Sequence, residues 1–168
     1  MYIDLSSARI FFDVVGPLLD AKGEALGKRP TLLMLHGGPG YDHQTLRPHF
    51  DRFADVAQVV YFDHRGCGRS GGEPDTWTLD QWADDVAEFC EKLGIKTPIV
   101  FGHSFGGMVA MRVAKRHPEL ASALILSSTA AHFELDATLE MALTLGGQDA
   151  ATAARALFTN PNLDTYRT

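Results

Sequence analysis

Ser104 is the residue of this 168-residue chain whose surroundings best suit covalent chemistry. It lies in the pattern G-H-S-F-G at residues 102–106, which follows the apolar residues 99–101 and precedes a helical pattern. A strand, a sharp turn and a helix in this order form a nucleophile elbow, which lifts a serine hydroxyl clear of a sheet edge. Glycine at positions 102 and 106 avoids the clashes that a Cβ would make in so tight a reversal. The pattern predicts a serine nucleophile; the alternative is a small residue that only fits a tight turn.

Two more motifs follow apolar, strand-like runs. The loop H-G-G-P-G at residues 36–40 comes after residues 31–35, and D-H-R-G-C-G-R-S at residues 63–70 comes after residues 58–62. An aspartate at a strand end, followed by glycines, can hold a loop through hydrogen bonds from its side chain to the backbone. The second motif is therefore predicted to be structural, supporting the floor of a site. Cys67, within it, lacks an activating pattern and is predicted to be inert.

A serine hydroxyl needs a base to remove its proton, and an acid normally orients that base. None of the seven histidines is expected to be this base. His103 should project to a different side from Ser104, and His36 should brace the glycine loop. Four others are expected at surfaces or element ends: His43 and His49 on one helix, His117 before Pro118, and His132 near the C-terminal helices.

Acidic residues and metal ligands give no alternative catalytic centre. Asp136, Glu140 and Asp149 are interpreted as helix caps and solvated faces rather than as triad acids. No pair of histidines has a third ligand at metal-binding spacing, so neither a metal site nor an organic cofactor is expected. Any chemistry is therefore expected to rest on side chains and backbone amides alone.

Short apolar runs alternate with helical patterns along the chain. The predicted strands are residues 1–5, 10–15, 31–35, 58–62, 98–101 and 123–127, and residues 17–30 are predicted to be an exposed loop. The predicted helices are residues 43–54, 79–93, 105–117, 136–145 and 149–158, the last two separated by Gly146-Gly147 and followed by Asn160-Pro161. Thr78 and Gln81 form a capping box before the second helix. Alternation of this kind predicts an α/β fold with a largely parallel sheet.

Composition excludes several classes of function. The net charge is −6 and no basic block is present, which argues against nucleic acid or an anionic membrane as a partner. The longest apolar runs are too short to span a bilayer, and the N-terminus does not resemble a signal peptide. Two cysteines, Cys67 and Cys90, do not form a disulfide framework. A cytoplasmic location is therefore expected.

The three motifs, HGGPG, DHRGCGRS and GHSFGG, resemble those of the α/β-hydrolase fold, and within it they are most similar to proline iminopeptidase (prolyl aminopeptidase) and its close relatives. The resemblance covers nearly the whole chain and implies a mostly parallel sheet with flanking helices, truncated at the start of the lid. Residues 1–131 would be the N-terminal part of the core domain, and residues 132–168 the beginning of a helical lid. By the same resemblance, the backbone N–H groups of Gly38 and Phe105 form the oxyanion hole beside Ser104.

The resemblance also implies an activity and a missing part. It implies cleavage of an amide or ester bond through a Ser104 acyl-enzyme, without a cofactor, on a small molecule or a short peptide with an N-terminal proline. In this family the triad acid and histidine follow the lid, so the isolated chain is expected to be inactive. A second polypeptide is expected to supply the missing strands, the aspartate and the histidine, beside the apolar edge at residues 124–126. The alternatives are an esterase or lactonase of the same fold, and a non-catalytic interaction protein that retains the fold; an epoxide hydrolase is disfavoured because Ser104 stands where an aspartate would attack.

Overall fold

A computed structural model describes residues 1–22, 25–132 and 134–159. It contains one six-stranded sheet in the spatial order β1-β2-β6-β5-β7-β8 and a separate two-stranded sheet, β3-β4. The strands are β1 (Tyr2–Asp4), β2 (Arg9–Val15), β3 (Leu19–Lys22), β4 (Ala25–Lys28), β5 (Thr31–Leu35), β6 (Gln58–Phe62), β7 (Ile99–His103) and β8 (Ala123–Ser127). The pairs β5–β6, β5–β7 and β7–β8 are parallel, whereas β1–β2 and β2–β6 are antiparallel. The expected mostly parallel α/β architecture is confirmed.

The helices are α1 (Leu79–Lys92), α2 (Phe105–Arg116) and α3 (Leu135–Thr159), with 3₁₀ segments at His43–Thr45, His49–Asp55 and Pro74–Thr76. The predicted cap of α1 is confirmed, because the Gln81 N–H donates to Thr78 Oγ1 at 3.2 Å. The predicted helix over residues 43–54 is wrong. Two 3₁₀ segments stand there instead, with Pro48 between them, and proline cannot supply the N–H that a continuous helix needs.

The predicted loop at residues 17–30 is also wrong, since it contains the antiparallel pair β3–β4. The two strands read LDAK and ALGK. Neither has the β-branched or aromatic residues, nor the alternation, by which a strand is recognised from sequence. Pairing of their backbone N–H and C=O groups with each other forms this hairpin, and that pairing leaves no sequence signal.

Hydrophobic cores lie on both faces of the large sheet. Leu33, Leu35, Val60 and Phe62 pack on the face that α1 and α2 cover. Alternate residues of the same strands, among them Leu32, Met34, Val59 and Tyr61, pack on the opposite face with Phe101 and Phe50. Burial of β5 and β6 on both faces explains their continuous apolar sequences.

β8 is an edge strand of the sheet among the described residues. Ile125 and Leu126 are 46% and 45% exposed on it. On the face opposite α2, Ile125 joins Leu32, Phe50 and Phe101 in lining an apolar cavity of about 320 Å³. The large sheet thus ends in an apolar strand with an apolar cavity beside it.

The described residues 132 and 134–159 belong to a second compact unit. Its described helix α3 is interrupted at Gly147, whose backbone angles are φ 72° and ψ −167°. This agrees with the predicted break at Gly146-Gly147, whereas the break predicted at Asn160-Pro161 lies outside the described residues. None of the helices that the structure describes is both long enough and apolar enough to cross a membrane.

Candidate active site

Ser104 stands between the end of β7 and the first residue of α2. Its backbone has φ 51° and ψ −117°, a conformation that costs a non-glycine residue about 1–3 kcal/mol. Contacts from the β8 side of the elbow fix it in place: the Ser104 N–H donates to Ser127 O at 2.9 Å, and Thr129 Oγ1 donates to Ser104 O at 2.7 Å. The chain therefore has the strand, strained turn and helix that the sequence pattern predicts.

The two glycines of the elbow are required by close packing. A Cβ at Gly102 would lie 2.4 Å from the carbonyl oxygen of Gly106. A Cβ at Gly106 would lie 2.2 Å from the carbonyl oxygen of Leu35. Neither backbone contact could absorb such an overlap. Glycine thus lets the start of α2 approach the end of β5, which brings Ser104 to the loop at residues 36–40.

The glycine loop lies directly against the serine. A Cβ at Gly37 would lie 3.5 Å from the Cβ of Ser104 and 3.2 Å from Cδ2 of His103. The N–H of Phe105, the first residue of α2, has no acceptor within the helix. Neither this N–H nor that of Gly38 donates a backbone or side-chain hydrogen bond within the described parts of the chain.

Two buried histidines support the glycine loop from below. His36 Nδ1 lies 2.6 Å from Gly37 O, and the His64 N–H donates to His36 Nε2 at 3.1 Å. His64 Nε2 in turn lies 3.2 Å from His36 O, and the ring centroids are 4.5 Å apart. Burial lowers the pKa of His36 and lowers that of His64 well below its ordinary value. Both rings are therefore neutral at neutral pH, and the expectation that His36 braces the loop agrees with these contacts.

Asp63 holds the neighbouring loop. Its carboxylate accepts the N–H groups of His43 at 2.9 Å and Arg69 at 3.1 Å, and it lies 2.7 Å from His43 Nδ1. These bonds support the structural role predicted for residues 63–70. The expectation that His43 lies at the surface is wrong, because its side chain is buried. Its partner Asp63 stands 20 residues further along the chain, a pairing that helical periodicity cannot reveal.

Arg65, in the motif predicted to be structural, forms a buried ion pair with Asp85, a partner that the motif does not indicate. Arg65 Nε and Nη2 donate to the two carboxylate oxygens of Asp85 at 2.8 and 2.6 Å. The remaining N–H groups of Arg65 reach Ser7 and Thr76. A signal was present in the sequence: Asp85 lies on the apolar face of α1, three residues after Trp82. A charge on such a face needs a buried partner.

The other histidines either contact groups other than the Ser104 hydroxyl or are exposed. His117 Nε2 is 2.8 Å from Asp84, and His132 Nε2 is 2.9 Å from Glu134. His103 Nδ1 is 3.4 Å from Ser127 Oγ, and His49 is exposed. Within the described residues no imidazole is hydrogen-bonded to the hydroxyl of Ser104, and no cluster of histidine, cysteine or acidic side chains could hold a metal ion.

Comparisons with known proteins show what the chain that carries this site is similar to. A family model described as alpha/beta hydrolase fold matches residues 30–166. A proline iminopeptidase from Clostridium botulinum is 36% identical over 111 residues, which are 64% of this chain and 38% of the relative. A solved proline iminopeptidase-related protein from Thermus thermophilus superposes with a TM-score of 0.75 at 31% identity, covering 92% of this chain and 55% of the other.

A more distant likeness concerns the fold alone. The enol-lactonase from Burkholderia xenovorans has a TM-score of 0.69 at 22% identity, with 94% of this chain and 58% of that protein covered. In these three comparisons the chain spans between 38% and 58% of the length of the protein that it matches.

Proposed function

The chain belongs to the α/β hydrolase fold family, and from that premise we propose that it carries the nucleophile and the oxyanion hole of a serine hydrolase. Ser104 is the proposed nucleophile, and the N–H groups of Gly38 and Phe105 are the proposed oxyanion donors. The observation that carries the proposal is the strained backbone of Ser104 next to two N–H groups that have no acceptor among the described residues.

The proposed reaction has two steps. Ser104 Oγ bonds to the acyl carbon while its proton passes to a base, and the negative charge on the former carbonyl oxygen is met by the two N–H groups. Collapse of this intermediate breaks the bond to the amine or alcohol, which leaves with the proton from the base. Water then attacks the acyl-enzyme by the same route and releases the acid. Each oxyanion donor lowers the barrier by about 3–4 kcal/mol.

The proposed substrate class is an amide at an N-terminal proline of a short peptide, which the likeness to proline iminopeptidases supports. Ester or lactone substrates are the second candidate, because the same elbow and N–H groups act on any acyl carbon. Matched proline amide and proline ester substrates distinguish the two, since an aminopeptidase must cleave the amide as well as the more reactive ester. We also propose a cytosolic location, which the free and buried Cys67 and Cys90 support.

We further propose that the base and acid of the triad come from a complementary polypeptide, the remainder of the same hydrolase. Two observations support this. No imidazole among the described residues is bonded to Ser104, and the apolar strand β8 has an open edge there. Parallel pairing of a further strand with β8 would satisfy that edge and extend the sheet.

A fluorophosphonate probe tests the nucleophile. In the complemented protein it is expected to label Ser104, and Ser104→Ala should abolish the labelling. Ser128→Ala is the matched control, because Ser128 also has a positive φ, of 47°, but is not the proposed nucleophile. Peptide mapping should place the label on Ser104. Equal labelling of Ser104→Ala would refute Ser104 as the nucleophile. Absence of labelling from the complemented wild-type protein would favour the non-catalytic alternative.

A further inference from the structure

The two buried histidines below the glycine loop fix each other's tautomers. A backbone N–H can only donate, so the His64 N–H makes Nε2 of His36 an acceptor. The proton of neutral His36 must then be on Nδ1, from which it is donated to Gly37 O at 2.6 Å. A carbonyl can only accept, so His64 must carry its proton on Nε2 and donate it to His36 O at 3.2 Å. Two neighbouring histidines thus hold opposite tautomers.

The proton on His36 Nδ1 sets the direction of one peptide group. The peptide between Gly37 and Gly38 is trans, since the cis peptides of the described residues are those before Pro39 and Pro48. In a trans peptide the C=O and the N–H point in opposite directions. Holding Gly37 O on the side of the His36 ring therefore turns the Gly38 N–H away from that ring. Glycine has little preference of its own, so without this bond the peptide could rotate.

We propose that His36 is a positioning residue of the oxyanion hole, and that it aims the Gly38 N–H by donating from Nδ1 to Gly37 O while the backbone N–H of His64 enforces that tautomer. The proposal rests on the function proposed for Ser104. In this role His36 acts through the peptide group of Gly37 and Gly38 and not on the substrate itself. Its effect is on the transition state, where the oxyanion needs the Gly38 N–H, and not on ground-state binding.

The tautomers themselves are the first test, and this test requires no activity. Long-range ¹H–¹⁵N spectra of the protein with ¹⁵N-labelled histidine should show His36 protonated on Nδ1 and His64 protonated on Nε2. His36→Asn should remove the first signal set and His64→Phe the second. Protonation of His36 on Nε2 would overturn the proposal, because Gly37 O would then have no donor.

Three variants of His36 separate positioning from support. Asn carries an amide N–H near the place of Nδ1 and can still donate to Gly37 O, but it cannot reach the His64 N–H. Gln can accept from the His64 N–H but does not present a donor to Gly37 O. Phe retains the ring and loses both bonds. If His36 only supports the fold, the loss of kcat in each variant should follow its loss of thermal stability. If His36 positions the Gly38 N–H, the Asn variant should keep a higher kcat than the Gln variant.

Kinetic measurements distinguish a positioning role of His36 from a supporting one. They use the form of the protein whose Ser104 reacts with the fluorophosphonate. His36→Gln and His36→Phe should lower kcat about 100-fold with KM little changed, and His36→Asn should stay within about tenfold of the wild type. His49→Asn, at an exposed histidine, is the substitution control. Equal kcat for the Asn and Gln variants would overturn the role of His36 while leaving Ser104 as the nucleophile. Absence of Ser104 labelling in the wild type would instead refute the proposed function.

Discussion

The two edge strands of the large sheet differ in length and in the charge of the side chains around them. β1 has only three residues, and its neighbourhood is charged: Arg9 Nε lies 3.6 Å from Asp4, the guanidinium of Arg9 stacks at 4.5 Å over Tyr2, and Lys92 Nζ donates to Asp4 O at 2.7 Å. β8 has five residues, with apolar side chains exposed and no charge. Short, charged edges discourage pairing with another chain, and long apolar ones invite it. The difference supports the proposal that a further strand pairs with β8 rather than with β1.

The largest expected effect is the loss of turnover when the chain lacks the complement proposed to pair with β8. Residues 1–168 alone should turn over an acyl substrate about a millionfold more slowly than the complemented protein, because loss of one triad member removes nearly all the covalent catalysis. Assays of the purified chain, with its intact mass verified, before and after addition of the complement measure this. Rapid hydrolysis by the chain alone, lost on substitution of His103 or His36, would instead indicate a base within these residues.

The next effect concerns the ion pair beneath the β1 side. Asp85→Asn should lower the free energy of unfolding by about 3–5 kcal/mol, because it leaves the Arg65 guanidinium buried without a counter-charge. Asp75→Asn, at an exposed aspartate, is the matched control and should change it by less than about 0.5 kcal/mol. Urea titration followed by circular dichroism measures both. Equal losses in the two variants would contradict the role given to the pair.

A lysine substitution on each edge strand tests whether β8 and β1 differ in their tendency to pair with another chain. Without its complement the chain should self-associate through β8, and Ile125→Lys should weaken that association at least about tenfold, since an inward-pointing lysine on an edge strand blocks pairing. Tyr2→Lys on β1 should leave it unchanged. Sedimentation velocity over a range of protein concentrations gives the association constants. A wild-type chain that stays monomeric and folds cooperatively would remove the distinction between the two edges.

The smallest expected effect is the pH dependence of stability. Burial lowers the pKa of His36 and His64 in the folded state, so the unfolded chain binds more protons once the pH falls below about 6.5, the ordinary histidine value. The stabilisation that depends on these two neutral histidines is therefore fully present above that pH and is lost as the pH is lowered, with the larger part expected from His64, whose pKa is lowered further. His64→Phe should reduce the difference between urea titrations at pH 7.5 and 5.5. The same substitution at the exposed His49 should not.

Sequence reasoning succeeded where the signal is local. The continuous apolar runs at residues 31–35 and 58–62 predicted strands buried on both faces, and Thr78 with Gln81 predicted the start of α1. It failed at residues 43–54, where apolar spacing resembles a helix although Pro48 interrupts the hydrogen bonding. The prediction at β3 and β4 was also wrong, because these strands pair through backbone groups and their side chains show no strand-like pattern.

By itself, the sequence determined the family and the order strand, elbow, helix around Ser104, because glycine spacing and apolar runs express local sterics and burial. Only the tertiary structure decided which polar groups meet inside the protein. Asp63 with His43, Arg65 with Asp85, and His36 with His64 each join residues 20 to 28 positions apart. A buried polar group must find a hydrogen-bond partner, but many partners at such distances would satisfy that need. The packing of β5, β6 and α1 selects which one does.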